Sequence, residues 1–114
     1  MSTAYLVEGV RLFEDGQYFL SHETLEEHWA EAPEEDRNFY QGLIHLAVGF
    51  LHHGKGNAKG ARLQFAKASK RLTDYPDVYQ QVDLELVRRF LDGAPEALER
   101  GETLTPPKLF RPVG

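Results

Sequence analysis

Residues 35–53 read EDRNFYQGLIHLAVGFLHH, and a helix built from them carries apolar side chains on almost every side. A surface helix keeps one polar face, so a helix without one is usually surrounded by other elements. Gly54 and Gly56 follow directly and predict the end of this helix. We therefore expect a central helix here, with the remaining segments packed around it. Its apolar positions are Phe39, Leu43, Ile44, Leu46, Val48, Phe50 and Leu51.

Amphipathic helical patterns flank this central segment on both sides. Apolar residues share one face of a helix over residues 5–13, and a second helix is predicted over residues 17–32, ended by Pro33. Residues 57–73 show a regular apolar stripe, with lysines and arginines away from it. No segment shows the alternation of apolar and polar residues that is typical of a strand. The predicted fold class is therefore all-α.

The C-terminal third is predicted to contain shorter elements. A fifth helix is expected to end near Leu91, with its start open between Asp77 and Asp83. Pro95 at a first helical position predicts a short sixth helix, and three prolines after residue 104 predict an extended arm. The predicted organisation is one all-helical domain over residues 1–114, with two helical hairpins in 1–76, C-terminal helices in 77–104 and an extended arm in 105–114.

Part of the chain repeats after forty residues. Gly9 and Gly16 recur as Gly49 and Gly56, and in both copies a small and then a large apolar residue follow. The half-pattern is similar to a tetratricopeptide helix pair, although the period is longer than the roughly 34 residues of that family. We therefore expect two stacked helical hairpins whose helices approach closely at small residues. The further matching positions are Ser21 with Ala61 and Leu25 with Phe65.

The composition excludes several classes of function. The 114 residues contain no cysteine, which excludes disulfides, thiolate metal sites and cysteine catalysis. The net charge of −5 argues against a protein that mainly coats nucleic acid or an anionic membrane. No apolar run reaches the length of a membrane span and no leader pattern opens the chain, so we expect a cytoplasmic protein.

The charges are strongly segregated along the chain. Residues 1–36 hold ten acidic residues and one basic residue, whereas residues 37–73 hold seven basic residues and no acidic one. We expect the two layers to attract each other in the packed fold. The basic side of the fourth helix is a candidate surface for an anionic protein or peptide partner, although a solvated face is the simpler interpretation. Leu63 within it indicates either a contact between two copies, as in a homodimer, or packing of the C-terminal arm. The basic residues of that side are Lys55, Lys59, Arg62 and Lys70.

The segment HETLEEHW, which starts at His22, holds the candidate site. At about 100° per residue, His22, Glu26 and Trp29 fall within one narrow arc of the helix. That arc also carries Tyr18 and Leu25, so we expect it to be the buried face and the other polar residues of the segment to face solvent. A carboxylate on a buried face needs a cation, a hydrogen-bond donor, a proton or a metal as its partner.

Polar residues also interrupt the central helix. Arg37, Gln41 and His45 lie on one line of it, one turn apart, and His52 continues that line. If this line faces the polar pair of the second helix, the bundle encloses a polar pocket. The aromatic side chains expected to roof this pocket are Tyr18, Trp29 and Tyr40.

The polar pair belongs to a longer motif. His22 and Glu26 are followed by Trp29 in the pattern His-x-x-x-Glu-x-x-Trp, and the run Gln-Gly-Leu-Ile begins at Gln41. With these motifs the chain resembles an uncharacterised prokaryotic helical family, the domain of unknown function 309. The resemblance implies an all-helical fold with no established activity, and a suggested metal-binding role that would fall on His22 and Glu26. His45 stands where the family pattern leads us to expect glutamine.

The first interpretation of the site is a divalent metal such as zinc, manganese or iron. A metal site needs three or four ligands, and His45 is the best third ligand beside His22 and Glu26. A hydrolytic version of this interpretation makes Glu26 the general base.

The second interpretation is structural. A buried polar network joins Glu26 to Arg37, and His22 to Gln41 or Tyr40, because buried ions are usually paired. The protein is then a non-catalytic interaction module for a peptide or for a second copy of itself.

Overall fold

The computed structural model describes residues 4–110, and their side chains from residue 6 onward. These residues form five helices and one short hairpin, so the all-α prediction is confirmed. Within them, no helix is both long and apolar enough to cross a membrane. The helices are α1 (Ala4–Glu14), α2 (Tyr18–Glu31), α3 (Glu34–Gly54), α4 (Ala58–Leu72) and α5 (Leu84–Glu99), and the strands are β1 (Val78–Tyr79) and β2 (Val82–Asp83).

Helix α3 is the central element, as its sequence predicts. It packs against α2 on one side and against α4 on the other. The side chains of Phe39, Leu46 and Ala47 have no exposed surface. The helix begins directly after Pro33 and carries three acidic residues in its first turn, where the helix dipole favours negative charge. Both polar sites described below are built on α3.

The two helical hairpins, α1–α2 and α3–α4, are held by the same close approach. A Cβ atom added to Gly9 would lie 2.7 Å from the Leu25 side chain, and one added to Gly49 would lie 2.4 Å from the Phe65 ring. Ordinary Cβ atoms never come that close to a neighbour, so only glycine fits at these two positions. In the first hairpin, the Ser21 hydroxyl also donates to the Gly9 carbonyl at 2.7 Å.

The turns inside the two hairpins match as well. Gly16 and Gly56 adopt φ angles of +81° and +74°, the left-handed conformation that favours glycine after a helix. In both turns the N–H of the following residue, Gln17 or Asn57, closes the helix by donating to a backbone carbonyl, at 2.8 and 2.9 Å. The forty-residue repeat therefore corresponds to two hairpins with the same glycine contact and the same turn.

A small hairpin in the C-terminal third is absent from the sequence-based prediction. Strands β1 and β2 pair in antiparallel fashion through a two-residue turn. The turn residues Gln80 and Gln81 adopt φ angles of 48° and 68°. Such turns usually carry Asn-Gly, so the usual sequence signal for this hairpin is missing.

Helix α5 runs without a break across Pro95, so the predicted end near Leu91 and the separate sixth helix are wrong. Its start falls at the second of the two open positions, where the Asp83 carboxylate caps the helix by accepting from the Leu86 N–H at 3.1 Å. Pro95 lacks the N–H that an interior helical residue donates. The apolar face of α5 nevertheless stays buried on both sides of Pro95, and this burial outweighs one missing hydrogen bond.

After α5 the chain runs extended over the surface of the bundle. Leu104 and Leu109 are buried there. The Leu104 N–H donates to His53 Nε2 at 3.1 Å, and the Leu109 N–H donates to the Glu14 carboxylate at 3.1 Å. The last part of the predicted arm, residues 111–114, lies outside the described residues.

Replacing Gly49 tests the close approach directly. Gly49→Ala is expected to lower the free energy of unfolding by about 1–3 kcal/mol, because the added methyl group overlaps the Phe65 ring. Gly93→Ala is the matched control, since Gly93 is also helical but has open space around its Cβ position. That variant is expected to gain up to about 1 kcal/mol. Equal effects of both variants in chemical denaturation would contradict the close approach.

Candidate functional site

The buried face of α2 differs from the predicted one. Ser21, Leu25 and His28 are buried, whereas the Glu26 side chain is 55 % exposed and His22 is 18 % exposed. His22 Nε2 and the Glu26 carboxylate lie 3.7 Å apart at the surface. The prediction that Glu26 is buried is therefore wrong. Helix α2 is rotated about its axis relative to the predicted orientation, because Ser21 and Leu25 both contact Gly9. This rotation turns the His22–Glu26 side toward solvent.

His28 takes the buried position that the sequence pattern assigns to Glu26. Its Nε2 lies 2.9 Å from the Tyr40 hydroxyl, which itself donates to Gln80 Oε1 at 2.9 Å. Because the Tyr40 proton goes to Gln80, the hydroxyl accepts from His28 Nε2–H. Burial raises the pKa of Tyr40, so the phenol stays protonated at neutral pH. A buried polar network exists, but it joins α2 and α3 to the unpredicted hairpin.

The residues of the predicted network and pocket lie in separate places. Arg37 stacks over the Trp29 ring, with the guanidinium carbon 4.5 Å from the ring centroid, and does not pair with Glu26. Tyr18 stacks on Phe50 with ring centroids 5.3 Å apart. Tyr18 and Tyr40 are therefore packing residues of the core, and the expectation that they roof one pocket with Trp29 is wrong.

The polar line of α3 does face a groove, but its opposite wall is α4 and not α2. The groove has a volume of about 810 Å³. A pocket of about 280 Å³ adjoins it and contains the stacked pair Trp29 and Arg37. On the α3 side the groove is lined by Glu35, Asn38, Gln41 and His45. The other side consists of Lys67, Lys70, Arg71, Asp74 and Tyr75.

Two hydrogen bonds join α3 to α4 beside the groove. His45 Nδ1 lies 2.8 Å from Gln64 Oε1, which can only accept, so Nδ1 carries the proton. Arg71 donates from Nη1 to Asn38 Oδ1 at 2.8 Å. The relative position of α3 and α4 is thus set by polar contacts within the groove as well as by the apolar core.

The three cations of the α4 wall form no direct ion pair among the described residues. Within residues 4–110, no carboxylate lies within 4.0 Å of Lys67, Lys70 or Arg71. In the same part of the chain, no ion pair joins the acidic first segment to the basic second one, so the expected attraction between the layers is not made through direct contacts. Burial lowers the pKa of His45, and the charges of Lys67 and Arg71 lower it further, while the hydrogen bond that His45 donates to Gln64 raises it.

The opposite end of the groove is acidic. The Tyr75 hydroxyl donates to the Glu35 carbonyl at 2.6 Å and accepts from the Phe39 N–H at 3.0 Å. Burial raises the pKa of Tyr75, and the carboxylates of Asp36, Asp74 and Glu35 also raise it, while the Phe39 hydrogen bond acts in the opposite direction. The groove therefore has one acidic end and a longer cationic part.

The three predicted metal ligands do not meet at one site, because His45 is separate from the His22–Glu26 pair. His45 lies in the groove, whose lining does not include His22 or Glu26. Among the described residues, no group of three or more histidine, aspartate and glutamate side chains is arranged to hold a metal ion.

Comparison with known proteins places the chain in a family. A family model described as a domain of unknown function (DUF309) matches residues 6–63, which is just over half of the 114 residues. The chain belongs to this family. The match includes Trp29, Arg37 and the α3 wall of the groove, but it ends before the cations of the α4 wall.

Two relatives are similar to this chain and are longer than it. An uncharacterized protein of Bacillus subtilis, YpuF, is 37 % identical over 70 residues, which cover 60 % of this chain and 40 % of the relative. An uncharacterized protein of Aquifex aeolicus is 28 % identical over 105 residues, which cover 91 % of this chain and 31 % of the relative. The chain thus matches less than half of the length of both relatives.

Removing the Tyr40 hydroxyl is expected to destabilise the fold more than removing Arg37. Tyr40→Phe deletes the group that joins His28 to Gln80 inside the core and should cost about 1–3 kcal/mol of unfolding free energy. Arg37→Ala deletes one cation–π contact at the surface and should cost about 0.5–1 kcal/mol. Chemical denaturation of the two variants beside the parent chain gives the comparison, and a larger loss in Arg37→Ala would contradict it.

His45 is expected to make stability depend on pH. Because its pKa is lowered in the fold, the unfolded chain binds the proton more readily. The resulting loss of unfolding free energy is absent well above pH 6.5, the ordinary pKa of histidine, and grows as the pH falls from there through the lowered pKa of His45. The unfolding free energy of the parent chain should therefore fall relative to that of His45→Gln between pH 8 and pH 5. A constant difference between the two chains over this range would rule the effect out.

Proposed function

We propose that this protein is a non-catalytic binding module that takes an anionic ligand in the groove between α3 and α4. The observation that carries this proposal is the row of Lys67, Lys70 and Arg71 along one wall, with no carboxylate within 4.0 Å in the described residues. The groove holds three cations against two carboxylates, Glu35 and Asp74, and an excess of positive charge in a concave surface attracts anions.

The groove residues also supply directional contacts for an anion. Arg71 is held by Asn38, and a guanidinium fixed in this way can offer its remaining N–H groups to a carboxylate or phosphate with little loss of entropy. His45 donates its Nδ1–H to Gln64. Its Nε2 can therefore take up a proton when an anion binds nearby. These groups bind and orient an anion, and the proposal therefore assigns binding rather than a reaction.

A matched pair of charge reversals tests the groove. Lys67→Glu and Arg62→Glu each change the net charge by two units within α4, but only Lys67 lines the groove. With tripolyphosphate and hexaglutamate as probes, isothermal titration at low salt should show about tenfold weaker binding in Lys67→Glu, and nearly unchanged binding in Arg62→Glu. Equal losses of affinity in both variants would mean that only the net charge determines binding, and this would contradict the groove as the binding site.

A divalent metal at His22 and Glu26 is the second candidate. Its support is that the two side chains face each other at 3.7 Å, one helical turn apart at the surface. With His45 in the groove, further ligands would come from water or from a partner molecule. Zinc, manganese and iron remain the ions proposed, and a hydrolytic role would use Glu26 as the base.

Metal analysis of the purified chain separates this candidate from the first. After incubation with zinc, manganese or iron and gel filtration, stoichiometric metal should be retained by the parent chain and lost in His22→Ala and Glu26→Gln. His52→Ala is the control histidine, because His52 lies in the last turn of α3 beside Asn57 and is not part of the His22–Glu26 pair on α2. Retention of metal in all four chains, or in none, would eliminate the site at His22 and Glu26.

Self-association remains a prediction. Leu63 on α4 is 56 % exposed and lies next to Arg62, outside the groove lining. A homodimer through this surface would leave the groove open, so it is compatible with either candidate function.

A further inference from the structure

The groove carries opposite charges at its two ends. Glu35 and Asp74 lie at the end near Tyr75, and the cations of α4 lie along the remainder toward His45. Two pKa shifts in the groove agree with this polarity. Burial raises the pKa of Tyr75 and lowers that of His45; nearby carboxylates raise the pKa of Tyr75 further, while Lys67 and Arg71 lower that of His45 further. A ligand that fits the groove along its length must therefore be negative over one part and positive or donor-rich over the other.

The dimensions of the groove fit a short extended chain. Ten residues of α3 separate Glu35 from His45, which corresponds to about 15 Å along the helix. An extended polypeptide advances by about 3.3 Å per residue, so four or five residues span this length. Small-molecule sites enclose most of their ligand in largely apolar surroundings, whereas this groove is lined by charged and amide side chains.

The acidic end argues against a nucleic acid. A phosphate backbone is negative along its length and would pass Glu35 and Asp74, and Glu34 in the adjoining pocket as well. A free polyphosphate would satisfy only the cationic part of the groove. A polypeptide is the polymer that can place acidic and basic side chains in separate blocks.

We infer that the ligand of the groove is an extended segment of a partner protein in which a block of acidic residues is adjacent to a basic block. The acidic block lies against Lys67, Lys70 and Arg71, and the basic block lies against Glu35 and Asp74. This inference rests on the proposed anion-binding function and names the partner class for it.

Two peptides of equal composition test the polarity. One is Glu-Glu-Glu-Lys-Lys-Lys and the other alternates Glu and Lys, both acetylated and amidated to remove the terminal charges. Trp29 is the single tryptophan of the chain and lies in the adjoining pocket, so its fluorescence reports binding at this place. At low salt, the block peptide should bind at least about tenfold more tightly than the alternating one.

Variants at the two ends of the groove give the decisive comparison. Lys67→Glu should abolish the preference for the block peptide, Asp74→Asn should reduce it, and Arg62→Glu should leave it unchanged. Thermal unfolding of each variant checks that the fold is retained, which the exposure of these side chains leads us to expect.

The possible results distinguish the inference from the proposed function. Equal binding of the two peptides, together with Lys67-dependent binding of tripolyphosphate or of a hexauridylate RNA, would overturn the polypeptide partner but keep the anion-binding groove. Failure of both peptides, tripolyphosphate, hexaglutamate and the RNA to bind in a Lys67-dependent way would overturn both.

Discussion

The contact of a glycine with a large side chain on the neighbouring helix determines how this molecule is arranged. Gly9 receives Leu25, and Gly49 receives Phe65, at distances that leave no room for a Cβ atom. Each contact fixes the rotation of the second helix of its hairpin, because the docked side chain must point at the glycine. In α2 this rotation buries His28 and exposes Glu26. In α4 it buries Phe65 and leaves Lys67 on the flank that borders the groove.

Much of the fold could be predicted from the sequence, because its helices are long and its glycines repeat. The continuous apolar pattern of α3 correctly indicates a central helix, and the forty-residue spacing correctly indicates two equivalent hairpins. The rotation of α2 could not be predicted in the same way. Phe19 and Leu20 are 53 % and 46 % exposed, so hydrophobicity alone places the buried face incorrectly. Only the spacing of Ser21, Leu25 and His28 indicates the true one.

Only the α3 wall of the candidate site could be predicted from the sequence. The line of Arg37, Gln41 and His45 indicates a polar groove along α3, and the two pockets contain all three residues. A pattern within one helix does not tell which neighbouring helix packs against it. The polar character of this side of α3 was therefore predicted correctly, but α2 was assigned as the second wall where the structure has α4. The Tyr40–Gln80 contact could not be predicted from hydrophobic periodicity, because Gln80 lies in a turn with two positive φ angles and no glycine.

The charges of the groove have two separate physical origins. Glu35 lies in the first turn of α3, and Lys70 and Arg71 lie in the last turn of α4, where helix dipoles favour these signs by about 0.3–1 kcal/mol each. Helix stability therefore favours these three charges independently of any ligand. Lys67 lies before the last turn, receives no such support, and lowers the pKa of the neighbouring His45. Arg62 also lies before the last turn and has no described carboxylate within 4.0 Å, but only Lys67 lines the groove, so the proposed binding function depends most directly on Lys67.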